Sequence, residues 1–300
     1  MILRYDVKET DNGRKVNSIM RRELCISAAL TRRLKQVSAI FLNGQLVFTD
    51  RVVSPGDTVT ITVTAAEPAC DNIPEEGIVD ILYEDEGLIA VSKPSGIITH
   101  PSRARYTGTL ANYVAGYLQK TTGDGRCHAV NRLDRDTSGV VLFAKNSHMK
   151  ARASGALAAP EATKEYLALI FGAMDAPAGT MDKPIKRRSE GDMRRVTAPD
   201  GQRAITHYET VETAVIEGNT VSLLRLRLET GRTHQIRVHM HAAGHPVLGD
   251  ILYYTEESRR LSESLGITAQ ALHAQRLAFT EPVTGAHLNL TSPVPDIFRL

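Results

Sequence analysis

Residues 131–139 read Asn-Arg-Leu-Asp-Arg-Asp-Thr-Ser-Gly and run straight into an apolar stretch, Val140-Val141-Leu142-Phe143-Ala144. A carboxylate, Asp134, therefore falls in a tight turn with Thr137, Ser138 and Gly139 at the mouth of a core strand. Carboxylates are rarely set beside a core without a partner or a task, because dehydrating the anion is costly. One held there could serve as a nucleophile or a base. Alone, the stretch favours the plainer reading, a turn whose Asp, Thr and Ser side chains satisfy nearby backbone groups. Three further segments bear on the choice. Residues 164–172 (Lys-Glu-Tyr-Leu-Ala-Leu-Ile-Phe-Gly) place Tyr166 at the start of another strand, and 228–239 supply Arg232 and Arg237. Residues 244–250 (Gly-His-Pro-Val-Leu-Gly-Asp) then close a loop.

In this order, and with Arg132-Leu133-Asp134, these segments resemble the RluA-type pseudouridine synthases, which isomerise uridine within RNA. The resemblance runs over almost the whole chain, from Ile-Leu-Tyr-Glu-Asp at 81–85 and Ser-Lys-Pro-Ser-Gly at 92–96 to Leu-His-Ala at 272–274 and Ser-Pro at 292–293. It implies a bent, mixed α+β sheet with the active cleft at its centre. It also implies a catalytic carboxylate at Asp134 partnered by Arg237, with Tyr166 packing on the target base and its hydroxyl near the reacting centre. Arg132 and Arg232 are expected to meet phosphates or brace the cleft. The position before Arg132 is usually histidine in the family and is Asn131 here; its amide still donates and accepts, so a changed supporting role is expected.

Read for periodicity, 234–240 alternates and predicts a strand with Ile236, Val238 and Met240 on one face and Gln235, Arg237 and His239 on the other. An apolar face in the core would aim Arg237 into a polar cleft, where a guanidinium holds a carboxylate ionised and oriented. His234, His239, His241 and His245 follow no His-Glu-x-x-His spacing and have no cysteine nearby, which argues against a metal site. No Gly-x-x-x-x-Gly-Lys loop or Gly-x-Gly-x-x-Gly fingerprint is present, so no cofactor is expected. Isomerising uridine breaks the N1–C1′ bond and rejoins the ring through C5, on a base flipped out of its stack. A carboxylate could attack C1′, add to C6 or take the 2′-hydrogen. These routes are not separable from residue types.

The elements that must position these groups are legible in part. Val16, Ile19, Met20 and Leu24 form a helical stripe, and Ser27 is a natural N-cap for a second helix carrying Leu30 and Leu34. Short strands are expected at 39–42, 45–48 and 58–63, around turns at Asn43-Gly44 and Gly56-Asp57. Two basic helices followed by such strands resemble an S4 RNA-binding domain, with Ser38 where a glycine is usual. Between Arg14 and Lys35 lie Arg14, Lys15, Arg21, Arg22, Arg32, Arg33 and Lys35 against Glu23 alone, a charge pattern that attracts phosphate. A second cluster, Lys186, Arg187, Arg188, Arg194 and Arg195, reads as a solvated face. We expect an S4-like domain at 1–65, an acidic, proline-bearing linker at 66–78 and a catalytic domain at 79–300. In the last, Leu110, Tyr113, Val114, Tyr117 and Leu118 mark a helix, and strands are expected at 87–91, 140–145, 166–171, 204–211 and 220–228. Without βαβ alternation, a mixed, largely antiparallel α+β sheet is the better reading.

Bulk composition agrees. Three hundred residues, 42% hydrophobic and 23% charged, suit a globular protein of one large and one small domain. No apolar run approaches the ~20 residues of a membrane span, and residues 1–20 are too polar for a signal peptide. Cys25, Cys70 and Cys127 are scattered, with no Cys-x-x-Cys pair, which suits a reducing cytoplasm. A monomer acting on ribosomal RNA of the large subunit is the leading expectation. Transfer RNA as substrate and a non-catalytic RNA-binding protein on the same scaffold are the alternatives. A carboxylate hydrolase would want a second acid near Asp134, and Asp136 would point elsewhere from the turn.

Overall fold

The computed structural model describes residues 1–67, 72–102 and 105–300, so Cys70 lies outside the described residues. The N-terminal module contains β1 (Ile2–Asp6), α1 (Val16–Arg22), α2 (Ala28–Gln36), β2 (Ile40–Leu42), β3 (Gln45–Leu46) and β4 (Thr58–Thr62). Its sheet has the order β1-β4-β2-β3, all antiparallel. The expected capping holds: Ser27 Oγ accepts from Leu30 N at 3.2 Å and starts α2. Asn43 and Gly44 carry positive φ values of 51° and 77°, as a two-residue hairpin turn between β2 and β3 requires. Val16, Ile19, Met20, Leu34, Ile40, Val59 and Ile61 are buried together, so the module has a core of its own.

The rest of the chain builds one large sheet. Its elements are β5 (Asp80–Glu84), β6 (Leu88–Lys93), α3 (Leu110–Thr122), β7 (His128–Ala129), β8 (Ser138–Ala144), α4 (Ser147–Ala158), β9 (Thr163–Phe171), β10 (Ala178–Asp182), a hairpin of β11 (Ile185–Arg187) and β12 (Arg195–Thr197), β13 (Ile205–Ile216), β14 (Asn219–Leu228), α5 (Gln235–Ala242), α6 (Glu256–Ser264), β15 (Leu272–Thr280) and β16 (His287–Thr291). The order is β10-β13-β14-β9-β15-β8-β6-β5, with β16 on β15 and β7 on β8. Every pairing is antiparallel except β8 with β15, at the middle of the sheet. That parallel contact is close: a Cβ at Gly139 (φ 116°) would fall 2.2 Å from the Ala274 carbonyl oxygen. Only glycine fits there, and it fixes where the chain leaves the Asp134 turn.

Alternation along the strands sorts the core. On one face, Ile89, Val91, Val141 and Phe143 pack with Leu110, Val114 and Leu118 of α3; on the other, Leu88, Ala90 and Leu142 meet Met149, Ala153 and Leu157 of α4. Further along, Ala168, Ile170, Leu224 and Leu226 pack with Ile236 and Met240 of α5, and Leu169 and Leu223 with Leu261 of α6. Tyr166 contributes to both the α3 and the α5 clusters, so it stands at the seam between them.

One expectation is overturned. Residues 234–240 do not form a strand; α5 covers Gln235–Ala242. His234 takes the left-handed conformation (φ 56°) ahead of it, and all six residues from Gln235 to Met240 are buried, polar and apolar alike. A helix buried on every side can carry a period-two pattern, because its polar residues find partners inside rather than water. Ile236 and Met240, four apart, face the sheet, while Val238 packs with Tyr253 on another side.

The two modules are joined by polar contacts. Glu67, whose side chain is fully buried, accepts from Ser147 N (2.7 Å) and Ser147 Oγ (3.0 Å) at the start of α4, and lies 3.2 Å from His128 Nε2. Arg33 donates to Ala66 O (3.0 Å) and to Ser147 Oγ (3.3 Å). The described part of the 66–78 segment also runs against α3, where Asn112 Nδ2 donates to Ile73 O (2.8 Å) and Glu75 N to Asn112 O (3.1 Å).

Candidate active site

The turn that carries Asp134 is pinned on both sides. Thr99, 1% exposed, accepts from Leu133 N (3.2 Å) and donates to Leu133 O (2.8 Å). Lys93 is wholly buried at the end of β6, and its ammonium donates to Pro94 O, Ile97 O and Arg135 O at 2.9, 2.8 and 2.7 Å. Three donors meet three carbonyls, which is how a buried ammonium is tolerated. Burial lowers the Lys93 pKa to about 8, against the opposing pull of Asp136 and Asp134. Thr137 N closes the turn on Asp134 O at 3.2 Å, and Gln270 Nε2 donates to Thr137 Oγ1 at 3.1 Å.

The Asp134 carboxylate, 28% exposed, opens into a cleft lined by Arg132, Tyr166, Arg232, His234 and Arg237 among others. Arg237 Nη1 donates to its Oδ2 at 3.0 Å. The other edge of the same guanidinium is held by Asp250, with Nε to Oδ2 at 2.6 Å and Nη2 to Oδ1 at 2.8 Å. Asp250 is completely buried and also accepts from Leu252 N (2.9 Å) and Tyr253 N (3.0 Å). A bidentate carboxylate fixes the plane of a guanidinium, so Asp250 sets the direction from which Arg237 meets Asp134. Burial acts to lower the Arg237 pKa, but hydrogen bonding and charge from Asp250, then Asp134, outweigh it and raise it. The Tyr253 ring lies 5.1 Å from the guanidinium carbon, a cation–π contact.

A chain of polar groups reaches the same carboxylate from another side. Arg195 N–H donates to Tyr253 Oη (2.6 Å), which is also hydrogen-bonded to His234 Nδ1 (3.0 Å). His234 Nε2 faces Asp134 Oδ2 at 3.8 Å. Burial lowers the His234 pKa, with Asp134 opposing. Tyr166 reaches in from β9, and its hydroxyl bonds to no described residue. Its pKa is pushed up to about 12, by burial first and then by the Asp134 charge, so the hydroxyl stays protonated.

Of the residues expected at the site, Asp134, Tyr166, Arg237, Arg132 and Arg232 all line one cleft. Arg132 stands exposed at the rim, while Arg232 Nε donates to Arg203 O at 3.0 Å. Asn131 does not line the cleft; its amide accepts from Leu142 N (2.7 Å) and donates to Val140 O (3.1 Å), splinting the approach to β8. In the N-terminal module Arg21, Arg22, Arg32 and Lys35 are exposed and make no ion pair with a described residue. Arg14 is instead held by Asp11 and Glu23, and Arg33 by the module interface. Asp250, Lys93, Thr99 and Tyr253 were not singled out by residue type. A lysine ending the apolar run Leu88–Lys93 and an aspartate closing 244–250 were the available signals. His239 is tied to Thr206 Oγ1 and Lys183 O, both at 2.9 Å, and no three metal-ligating side chains converge among the described residues.

Comparison with known proteins gives the family. A family model described as RNA pseudouridylate synthase matches residues 87–242, which include Asp134, Tyr166 and Arg237. An RNA pseudouridine synthase of Bacillus subtilis is 35% identical over 96% of this chain and 92% of its own length. A ribosomal large subunit pseudouridine synthase D of Vibrio parahaemolyticus is 34% identical over 99% of this chain and 92% of its own. Among solved structures, human RNA pseudouridylate synthase domain containing 1 superposes with a TM-score of 0.58 at 25% identity, covering 76% of this chain and 86% of that one. The chain belongs to the RNA pseudouridylate synthase family, enzymes that isomerise uridine in RNA.

Proposed function

We propose that this enzyme forms pseudouridine in large-subunit ribosomal RNA, with Asp134 as the nucleophile or base and no cofactor. The observation that carries the reading is the chain Asp134–Arg237–Asp250, one part-exposed carboxylate presented to a cleft by a guanidinium that a buried carboxylate immobilises. The flipped uracil stacks on Tyr166, whose protonated hydroxyl lies on the Asp134 side of the cleft. Asp134 opens the N1–C1′ bond by attack on C1′, addition to C6 or removal of the 2′-hydrogen. The freed ring turns, C5 bonds to C1′, the C5 proton leaves and N1 gains one, so the product is an isomer. Each route puts change of charge on Asp134, and Arg237 supplies a fixed countercharge that need not reorganise. Arg132 and Arg232 take phosphates at the rim.

Residues 1–65 act as an S4-like RNA-binding domain, with Arg21, Arg22, Arg32 and Lys35 as its phosphate contacts. Residues 66–78 connect it to the catalytic domain, 79–300, and the enzyme works as a cytoplasmic monomer. The names of relatives such as the Vibrio enzyme favour ribosomal over transfer RNA. Incubating the purified protein with large-subunit ribosomal RNA and with transfer RNA transcripts, then mapping pseudouridine, tests this. Modification confined to ribosomal RNA is expected; modification of transfer RNA alone would reassign the substrate, and none in either would remove the reading.

A further inference from the structure

We propose that Phe48, in the N-terminal module, is a stacking platform for an unpaired base of the RNA, a contact separate from the cleft at Asp134. The proposal rests on the reading of this module as RNA-binding and adds a specific contact to it. Phe48 is 85% exposed, and it lines a groove with Leu46, itself 58% exposed, and Lys35. Single exposed apolar side chains are ordinary on protein surfaces. Phe48 differs in how it is held and in what surrounds it.

Its loop is tied at every step. Val47 N donates to Ile40 O (3.1 Å), Asn17 N to Thr49 O (2.8 Å), Arg51 N to Phe48 O (3.2 Å) and Val16 N to Arg51 O (2.8 Å). The ring is thus presented from a fixed backbone, so ordering it on contact costs little. The bond from Asn17 ties the backbone of Thr49, the residue after Phe48, to the start of α1, and Lys15, Arg21 and Arg22 of that region line a second groove. Lys15, Arg21, Arg22 and Lys35 are all exposed and make no ion pair with a described residue. An exposed aromatic ring sharing its groove with an exposed lysine, on a module that displays further unpaired cations, is the combination that grips a single strand, with phosphates on the cations and a base on the ring. The groove is also lined by the exposed Asp50, whose carboxylate would repel a phosphate but not a neutral base. Charge therefore selects a nucleobase as the occupant.

The test compares the full-length enzyme with Phe48→Ala and Phe48→Trp variants, both conservative for folding at so exposed a position. The probes are an unstructured RNA of about 12 nucleotides bearing one 2-aminopurine, and a large-subunit ribosomal RNA transcript. Wild-type protein should quench the 2-aminopurine on binding. Phe48→Ala should lose the quench and weaken affinity roughly tenfold, within a span of about five- to a hundredfold for one stacked base. Its salt slope should not change, because every phosphate contact is kept, and turnover at saturating RNA should hold. Phe48→Trp should retain both quench and affinity. Undiminished affinity for both RNAs in Phe48→Ala would overturn the proposal. So would the disappearance of a wild-type dimer in sedimentation with RNA affinity intact, since the face would then join two copies. If wild type quenches through Phe48 yet modifies no ribosomal RNA, the substrate reading falls and the stacking site stands.

Discussion

Arg237 at the cleft and Lys93 behind the Asp134 turn are almost wholly removed from water, and their inward-pointing N–H groups meet carboxylates or carbonyls. Arg21, Arg22, Arg32 and Lys35 of the N-terminal module lie in solvent, with no ion pair to a described residue. The same two residue types thus do different work in the two regions. A buried charge is tolerated only with its partners in place, so it locks geometry and loses much when one partner goes. An exposed charge costs nothing to display and is free to meet phosphate, but each contributes little and is screened by salt.

The comparison breaks most sharply at Asp134. Asp134→Asn keeps the size of the side chain and leaves every exposed cation in place. Pseudouridine formation should fall by several orders of magnitude while thermal unfolding and RNA affinity stay near wild type. The protein should be checked by mass spectrometry for deamidation. Full activity in a verified variant would move the catalytic carboxylate elsewhere.

Next is Asp250→Asn, which touches no substrate in this reading. It strips the immobilised guanidinium of its bidentate countercharge, so stability should drop by about 3 kcal/mol in denaturant titration. Turnover should fall on the order of a hundredfold through misplacement of Arg237, with KM for RNA little changed. A matching loss in an exposed cation such as Arg22→Ala would erase the distinction between the regions.

A smaller effect comes with pH. Below about 8 Lys93 is an ammonium whose three N–H bonds answer three carbonyls. Above that it is an amine with two N–H bonds and a lone pair facing the third carbonyl, and the turn behind Asp134 loosens. Turnover at saturating RNA should therefore decline several-fold as pH rises through about 8. A flat profile across that range would show that the turn holds without the charge.

The smallest change is in the exposed set. The double variant Arg21→Ala and Arg22→Ala should flatten the dependence of log affinity on log salt by ~0.7 for each single-strand phosphate that these side chains neutralise, with turnover at saturating RNA unaltered. This variant is cleaner than deleting the module, because Glu67 and Arg33 also hold the start of α4. An unchanged slope would make these arginines solvated surface only.

Much of the site was legible because turns and caps are written locally. The Asp134 turn, Gly139, the Ser27 cap and the Asn43-Gly44 hairpin depend on residues within a few positions, and each lies where its residues indicate. Asn146 and Thr255 carry similar signals for α4 and α6, accepting from Met149 N and Ser258 N, but the short apolar stripes of these helices give little periodicity to read. The 235–242 segment misled for the opposite reason, since its alternation has meaning only where one face meets water.

By itself the sequence determined the family and the short-range conformations around Asp134, since these depend on residue identity and near neighbours. Tertiary structure alone decided that Asp250 holds Arg237 and that Lys93 closes the turn from inside, and it brings Arg237 to Asp134, the pairing the resemblance implied. Those pairings join residues 13, 103 and 42 positions apart. Each exists because a buried charge must find its opposite or a ring of dipoles within the folded core, and the sheet order settles which one is in reach.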